Sequence, residues 1–195
     1  MTNEIKEYID ALHSDFVHTS GFYNDANVCN EISSTKRIEM DERNEQEKLM
    51  TAIDIANRAH YRQFDKCGRP YILHPLHLMS QLLFDTELAT IAVLHDVAED
   101  SDLYTLEGLS GVFNSRVMSA LNLLTHKDGD DYLGRYIPKI CTNYDAIRVK
   151  RKDLKYNMDI TRIKVVTDKD LERIDKYHLA FMMLGAAKCD FKGNN

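Results

Sequence analysis

The stretch from Ala92 to Asp100 concentrates side chains that can do chemistry. It reads AVLHDVAED, so an imidazole and three carboxylates accompany an apolar segment. The adjacent His95 and Asp96 can ligate one metal ion from neighbouring helical positions, and residues four apart on a helix share a face. That spacing places Glu99 and Asp100 near water bound to such an ion, where a hydrolase needs general acid and base groups.

The same stretch has a purely structural explanation, because the acidic end of a helix is often simply solvated. Carboxylates at a helix C-terminus oppose the helix macrodipole, however. Polar groups that follow the apolar run 91–94 also cost stability unless something binds them. The stretch alone leaves both interpretations open.

Two further segments carry residues of the same types. His74 lies in GRPYILHPL directly before Pro75, which favours an extended backbone and presents the imidazole at the start of a helix. Asp153 is the only acid in the run VKRKDLK and shares a helical face with Asn157. A packed histidine and a solvated basic helix are the ordinary explanations. Apolar Ile147 predicts a partly buried helix, in which Asp153 needs a partner such as a metal ion.

Together these segments resemble the HD superfamily in its RelA/SpoT-type branch, the alarmone hydrolases. That family shows GxPYxxHP, then HDxxED, then an Asp followed four residues later by an Asn. This chain has GRPYILHP, HDVAED and DLKYN in the same order, and the resemblance covers about residues 48–187. It implies a metal-dependent enzyme that removes pyrophosphate from the 3′ position of (p)ppGpp-like nucleotides.

The resemblance also implies roles for individual residues. The metal ion, usually Mn²⁺, would be held by two imidazoles and two carboxylates, those of His74, His95, Asp96 and Asp153. Such ligands suit other divalent ions of that class as well. Glu99 and Asp100 would act on the attacking water and the leaving oxygen, and Asn157 would hold the ribose or a phosphate. Cations for the phosphates would come from Lys66, Arg69, Lys150, Arg151 and Lys155.

The chain departs from the family pattern at two positions. The family usually carries Arg-Lys before GxPY, with the Arg against the base, whereas this chain has Asp65 and Lys66. We therefore expect base preference to be loose or shifted from guanine. The carboxylate of Asp65 could accept a hydrogen bond from the exocyclic amine of adenine or guanine. Leu154 stands where the family often has Arg.

Two alternatives to the alarmone hydrolase stay open. One is an HD phosphohydrolase of another nucleotide, such as a monophosphate, a triphosphate or a cyclic dinucleotide. The other is a catalytically idle module that binds a nucleotide. The presence of Glu99 and Asp100 argues against the idle module, because a pure binder does not need them.

The apolar residues recur with helical spacing over most of the chain, and Gly (8) and Pro (3) are scarce. We predict an all-α fold, an HD-domain helical bundle of about eight or nine helices. Residues 1–40 are predicted to form an N-terminal extension with a helix over 3–18 and a loop over 19–40, followed by the HD hydrolase domain over 41–195. The HD pair is predicted on a helix over 87–98 capped by Thr86. No synthetase domain fits beside the hydrolase domain, so we expect hydrolysis alone.

The net charge of −6 argues against a generic nucleic-acid binder but allows a local basic pocket. The four cysteines lie far apart without a CxxC pair, which is typical of reduced thiols in a cytoplasmic protein. The N-terminus is charged throughout, unlike a secretory signal, and no run approaches the roughly 18 apolar residues of a membrane span. We expect a nucleotide as substrate and no nucleic-acid or membrane partner. The sequence is compatible with an oligomer and does not determine the oligomeric state.

Overall fold

The computed structural model describes residues 25–126, 129 and 131–193. The chain divides into two units, Met1–Arg43 and Asn44–Asn195. Helix α1 spans Asp25–Ala59, so the loop predicted up to residue 40 is wrong from residue 25 onward. The Ser, Asn and Thr residues there suggested a loop, but no Gly or Pro interrupts the helix. The helix predicted over 3–18 lies outside the described residues.

The remaining helices all belong to the second unit. They are α2 (Leu73–Ser80), α3 (Thr86–Leu94), α4 (Val97–Asp100), α5 (Leu106–Ser110), α6 (Ser115–Leu124), a π-helical turn (Tyr132–Tyr136), α7 (Ile137–Ile140), α8 (Tyr144–Asn157), a 3-10 turn (Ile160–Arg162) and α9 (Asp168–Gly193). Within the described ranges the β-type pairing is a single isolated bridge between Phe64 and Pro70. The predicted all-α class is confirmed.

Helix α3 lies at the centre of the bundle. All its residues from Leu88 to Leu94 are buried, as expected of a helix that is apolar all round. Its N-cap is Asp85, whose carboxylate accepts the Leu88 N–H at 3.0 Å, and not the predicted Thr86. None of the helices that the structure describes is both long and apolar enough to cross a membrane.

The chain breaks between α3 and α4. Helix α3 ends at Leu94, and α4 contributes a single further turn, so the predicted continuous helix over 87–98 is wrong. His95 and Asp96 occupy the break, with backbone angles that stay close to helical. The carbonyl of Asp96 still accepts the N–H of Asp100 at 2.9 Å. Glu99 and Asp100 therefore keep their predicted place one turn beyond the HD pair.

Helix α8 packs against α2, α3, α6 and α9. The side chain of Asn143 caps it by accepting the Ala146 N–H at 2.9 Å. Its inner face is apolar through Ile147 and Leu154, yet Asp153 is buried on it as well. A buried carboxylate is costly without a partner. The C-terminal end of α8 therefore carries a polar group within the core.

Candidate functional site

Three parts of the bundle bring four side chains of metal-ligating types to one place. His74, His95 and Asp96 each offer a ligand atom, and these atoms lie within 4.8 Å of one another. Oδ1 of Asp153, in the last turns of α8, lies 3.2 Å from Nε2 of His74 and 3.9 Å from Nε2 of His95. The structure therefore brings all four side chains of the predicted metal set together.

His74 reaches this cluster from the first turn of α2. Its position before Pro75 predicted an extended backbone, and that prediction is wrong. The first turn tolerates Pro75 because the leading N–H groups of a helix have no partner within it. His74 is buried, and its Nδ1 has no hydrogen-bond partner. Its ring packs against Tyr156, with the ring centroids 4.5 Å apart.

The orientation of His95 suits a metal ligand. Its Nδ1 lies 2.9 Å from the carbonyl of Ala92, which fixes the proton on that nitrogen in the neutral ring. Its Nε2 lies 3.0 Å from Asp96 Oδ2 but is not aligned for a hydrogen bond to it, so this buried atom has no hydrogen-bond partner. A divalent cation would satisfy Nε2 and would be held by imidazole and carboxylate, an established combination. The residues present therefore fit the metal that the resemblance implies.

The electrostatics of the cluster favour a cation. Burial opposes the protonated form of His95, but Asp96 outweighs burial and raises the pKa of His95 to about 9. A bound cation would take the place of that proton. Burial alone would raise the pKa of Asp153, yet Lys150, whose Nζ lies 2.9 Å from Oδ2, holds that pKa well below its ordinary value.

Two further contacts orient the carboxylates. The hydroxyl of Tyr71 donates to Oδ2 of Asp96 at 2.7 Å. The amide of Asn157, one helical turn beyond Asp153, donates to Oδ1 of that residue. Partners of this kind fix the direction in which a ligating carboxylate points.

Glu99 and Asp100 face the same cavity without joining the ligand cluster. Burial raises the pKa of both carboxyl groups above their ordinary values, and the charge of Asp96 adds to this effect. One oxygen of Glu99 accepts the N–H of His126 at 2.9 Å. Carboxyl groups with raised pKa values are suited to proton transfer near neutral pH.

The cavity has a volume of about 390 Å³ and opens beside the cluster. Of the predicted substrate-binding residues, Lys66, Lys150 and Asn157 line it. Arg69 is exposed and does not line it, although its N–H donates to Asp65. Arg151 and Lys155 lie on a different face of α8 and line a separate cavity. The structure therefore does not bring these three cations to the site.

Several residues that line the cavity were not predicted from the sequence. Tyr71 stands inside the GRPY segment, three residues before His74, so its place in that motif was a usable signal. Arg162 and Arg173 had no comparable signal, because they come from the 3-10 turn and from α9. The Nε of Arg173 is buried without a hydrogen-bond partner.

A second missed pair lies behind Asp100. His60 is buried, and its Nδ1 lies 2.8 Å from Oε1 of Gln63. The amide of Gln63 in turn donates to the Asp100 carbonyl at 2.8 Å. The ring of His60 also lies 4.9 Å from that of Tyr71. These contacts tie the end of α1 to the end of α4 and so help to position Asp100.

No family model matches the chain. It is 36% identical to a probable GTP pyrophosphokinase of Mycobacterium leprae, over 58% of this chain and 16% of that protein. It is 35% identical to a guanosine-3′,5′-bis(diphosphate) 3′-pyrophosphohydrolase of Aquifex aeolicus, over 40% of this chain and 12% of that protein. The chain therefore spans less than a fifth of the length of either relative.

A solved structure described as a metazoan ortholog of SpoT that hydrolyzes ppGpp matches with a TM-score of 0.59 and 21% identity. The match covers 72% of this chain and 85% of that chain. At this identity the match shows a shared fold, which confirms the HD-type helical bundle. With the curated relatives it also confirms the predicted resemblance of this chain to the RelA/SpoT-type HD hydrolases.

Proposed function

We propose that the chain is a metal-dependent hydrolase that removes pyrophosphate from the 3′ position of a (p)ppGpp-like nucleotide. The observation that carries the proposal is a cluster of four potential metal ligands, two of which line the same cavity as two carboxyl groups of raised pKa. Proteins whose names contain this activity or a related one are similar to the chain over part of their length. A pure binding module would need the cations but not Glu99 and Asp100.

The metal would be held by His74, His95, Asp96 and Asp153. When bound, a divalent ion of the Mn²⁺ type neutralises phosphate charge and lowers the pKa of water. Tyr71 and Lys150 keep the carboxylates oriented for it. Of the two ligand carboxylates, only that of Asp153 has the ammonium of Lys150 beside it.

Glu99 and Asp100 would divide the proton transfers of the reaction. One would accept a proton from the attacking water, and the other would donate a proton to the leaving 3′ oxygen of the ribose. The raised pKa of each carboxyl group brings it closer to the operating pH, which favours both directions of transfer. Gln63 and His126 hold the two carboxyl-bearing residues through backbone and side-chain hydrogen bonds.

Phosphate charge would be met by cations that line the cavity from different segments of the chain. Lys66 lies before the GRPY segment, and Arg173 lies on α9 with a buried Nε that lacks a hydrogen-bond partner. Guanidinium groups bind phosphate oxygens in a fixed, planar arrangement. Asn157 adds an amide on the α8 wall. A nucleotide with phosphates at both the 5′ and 3′ positions matches this distribution.

The base would meet Arg162 and not Asp65. Oδ1 of Asp65 accepts hydrogen bonds from the backbone N–H groups of Cys67 and Arg69. Oδ2 accepts a hydrogen bond from Nη2 of Arg162 at 2.9 Å. The carboxylate therefore has little capacity left for the exocyclic amine of a base. The guanidinium of Arg162 lies 3.6 Å from the ring centre of Tyr156 and lines the cavity. In the family that the chain resembles, an Arg at the position of Asp65 lies against the base. In this chain Arg162 would make that contact, with its guanidinium stacked on the base.

We also propose that the chain works in the cytoplasm. The described cysteines Cys67, Cys141 and Cys189 are free, as expected of a chain that works in the reducing cytoplasm. The net charge of −6 supports a small nucleotide and not nucleic acid as the ligand.

The test is a substrate panel with Mn²⁺-loaded protein. We would compare ppGpp, ppApp, GTP, dATP and 5′-monophosphates and follow pyrophosphate release by coupled assay and chromatography. Release of pyrophosphate from ppGpp or ppApp alone, with a 3′-hydroxyl nucleotide as co-product, is the expected result. Turnover of the triphosphates or monophosphates with the 3′-pyrophosphates untouched would overturn the substrate and leave the metal site standing.

A further inference from the structure

A second cavity of about 440 Å³ lies on another face of α8 and shares no lining residue with the first. We call it the basic cavity. Its walls come from helix α8, from helix α9 and from the segment that joins the end of α2 to α3. Three aromatic residues and five cations are among the residues that line it. The aromatics are Phe84, Tyr144 and Phe181. The cations are Arg148, Arg151, Lys152, Lys155 and Lys188.

The charge of this cavity is one-sided. Its lining contains no carboxylate, although the whole chain has a net charge of −6. Within the described part of the chain, Lys155 and Lys188 have no hydrogen-bond or ion-pair partner. Arg148 lies 3.5 Å and 3.7 Å from oxygens of Asp145 and Asp85, so among the described contacts of the five cations only this one is partly neutralised by acids. An ordinary solvated helix face mixes charges of both signs, and this one does not.

One cation of the basic cavity is built into the fold. The guanidinium of Arg151 lies 3.7 Å from the ring centre of Phe181 and donates to the backbone carbonyl of that residue. Residue 185 is glycine, which leaves room for the guanidinium in this position, since a Cβ there would stand 2.7 Å from Nη1. Burial lowers the pKa of Arg151, and no carboxylate of the residues that the structure describes pairs with it. The fold therefore holds an unneutralised guanidinium in place.

The aromatic wall is exposed in a way that core residues are not. Phe84 is 73% exposed, and the guanidinium of Arg148 lies 5.2 Å from its ring centre and 5.4 Å from that of Tyr144. Flat rings beside fixed guanidinium groups offer stacking surface for a planar base.

We infer that the basic cavity binds a nucleoside polyphosphate. The cations would take the phosphates, and Phe84 with Tyr144 would take the base. The volume lies within the range of small-molecule sites, whereas a nucleic acid would need an extended basic track. The lining has no His, Asp or Glu, so the cavity binds this ligand without hydrolysing it. This inference does not depend on the activity proposed for the first cavity.

The experiment measures ATP binding to the metal-stripped 195-residue chain by equilibrium dialysis. The test variant is the double substitution Lys155→Ala with Lys188→Ala, and the matched control is Lys169→Ala, which removes an exposed cation from α9 outside both cavities. We expect one bound ATP per chain to be weakened at least tenfold in the double variant, about 1.4 kcal/mol, and unchanged in the control. Thermal melting checks that all variants fold.

Two further probes test the ligand class. Phe84→Leu should weaken ATP binding severalfold and leave the binding of inorganic tripolyphosphate unchanged. The inference is overturned if the wild-type chain binds no ATP, or if ATP binding survives the double substitution. It is also overturned if tripolyphosphate binds as tightly as ATP and Phe84→Leu has no effect, because the cavity would then be a plain anion patch. A single-stranded RNA oligonucleotide could also displace ATP at a concentration below that of ATP. That result would overturn the inference, because the cavity would then be a nucleic-acid site.

Discussion

Helices α3 and α8 carry charged clusters at both of their ends, and the two clusters solve their charge problem differently. At the N-terminal ends, the guanidinium of Arg116 binds Asp85, Glu87 and Asp145. At the C-terminal ends, the HD pair and Asp153 face each other with His74 between them.

The N-terminal cluster contains its own cation. Hydrogen bonds to Asp145 and the other carboxylates outweigh burial and raise the pKa of Arg116. Burial alone would raise the pKa of Asp85, but Arg116 outweighs it and lowers that pKa. The cluster is satisfied within the protein, so it has a structural role and leaves nothing to bind.

The C-terminal cluster is more buried and less satisfied. Asp153 is 5% exposed and His95 2%, yet Nε2 of His95 and Nδ1 of His74 lack hydrogen-bond partners. Lys150 neutralises only one of the carboxylates. The unpartnered Nε2 of His95 beside the Asp96 carboxylate favours an external cation, which the Arg116 cluster does not require.

The largest effect should follow from Asp96→Asn. The substitution keeps the shape of the side chain and removes a negative ligand, so we expect turnover of the 3′-pyrophosphate substrate to fall below detection. Pyrophosphate release is the readout. The matched control is Asp102→Asn, an exposed Asp outside the cavity, which should keep its rate. Comparable rates in both variants would contradict the contrast between the two clusters.

Glu99→Gln should separate chemistry from metal binding. The amide cannot transfer the proton, so we expect turnover to drop on the order of 10²–10⁴-fold while metal content stays the same. Steady-state kinetics with elemental analysis measures both quantities. Glu107→Gln, on exposed α5, is the control and should remain fully active. Full activity of the Glu99 variant would remove this residue from the mechanism.

Arg162→Lys should change substrate binding more than chemistry. Lysine can keep the ion pair with Asp65 but cannot stack as a plane on Tyr156 or on a base. We expect KM to rise about tenfold with kcat nearly constant. Arg135→Lys, at an exposed position, is the control. A fall in kcat without a change in KM would show that Arg162 does not contact the bound nucleotide.

The smallest effect should follow from Arg116→Met. Three carboxylates lose their cation, but the side chain of Arg116 is 40% exposed, so solvent screens much of the loss. We expect the free energy of unfolding to fall by about 1 kcal/mol, measured by urea denaturation. Metal content should be unaffected. An equal fall in Arg135→Met would show that the cluster has no special role.

The sequence predicted the parts of the site that rest on local spacing. The HD pair, the two acids that follow it and the Asp153–Asn157 spacing were all readable from helical periodicity. The class of fold was readable for the same reason. The break after Leu94 was not, because the backbone at His95 and Asp96 stays nearly helical and no Gly or Pro announces it.

The pairing of Asp65 with Arg162 was not predictable either. These residues lie 97 positions apart and meet only when the 3-10 turn folds back toward the GRPY segment. The basic run around Asp153 likewise gave charge without direction. Residues of that run point to two different cavities, Lys150 to one and Arg151 and Lys155 to the other. Long-range packing decides such assignments, and a single sequence does not contain them.

The most direct test of the account is the metal stoichiometry of three proteins titrated with Mn²⁺ after chelation. We predict one ion per chain for the wild type and for Arg116→Met, and none for Asp96→Asn, by calorimetry and elemental analysis. An unchanged stoichiometric ion in Asp96→Asn, or its loss in Arg116→Met, would contradict the claim that the cluster at the C-terminal ends of α3 and α8 is the metal centre.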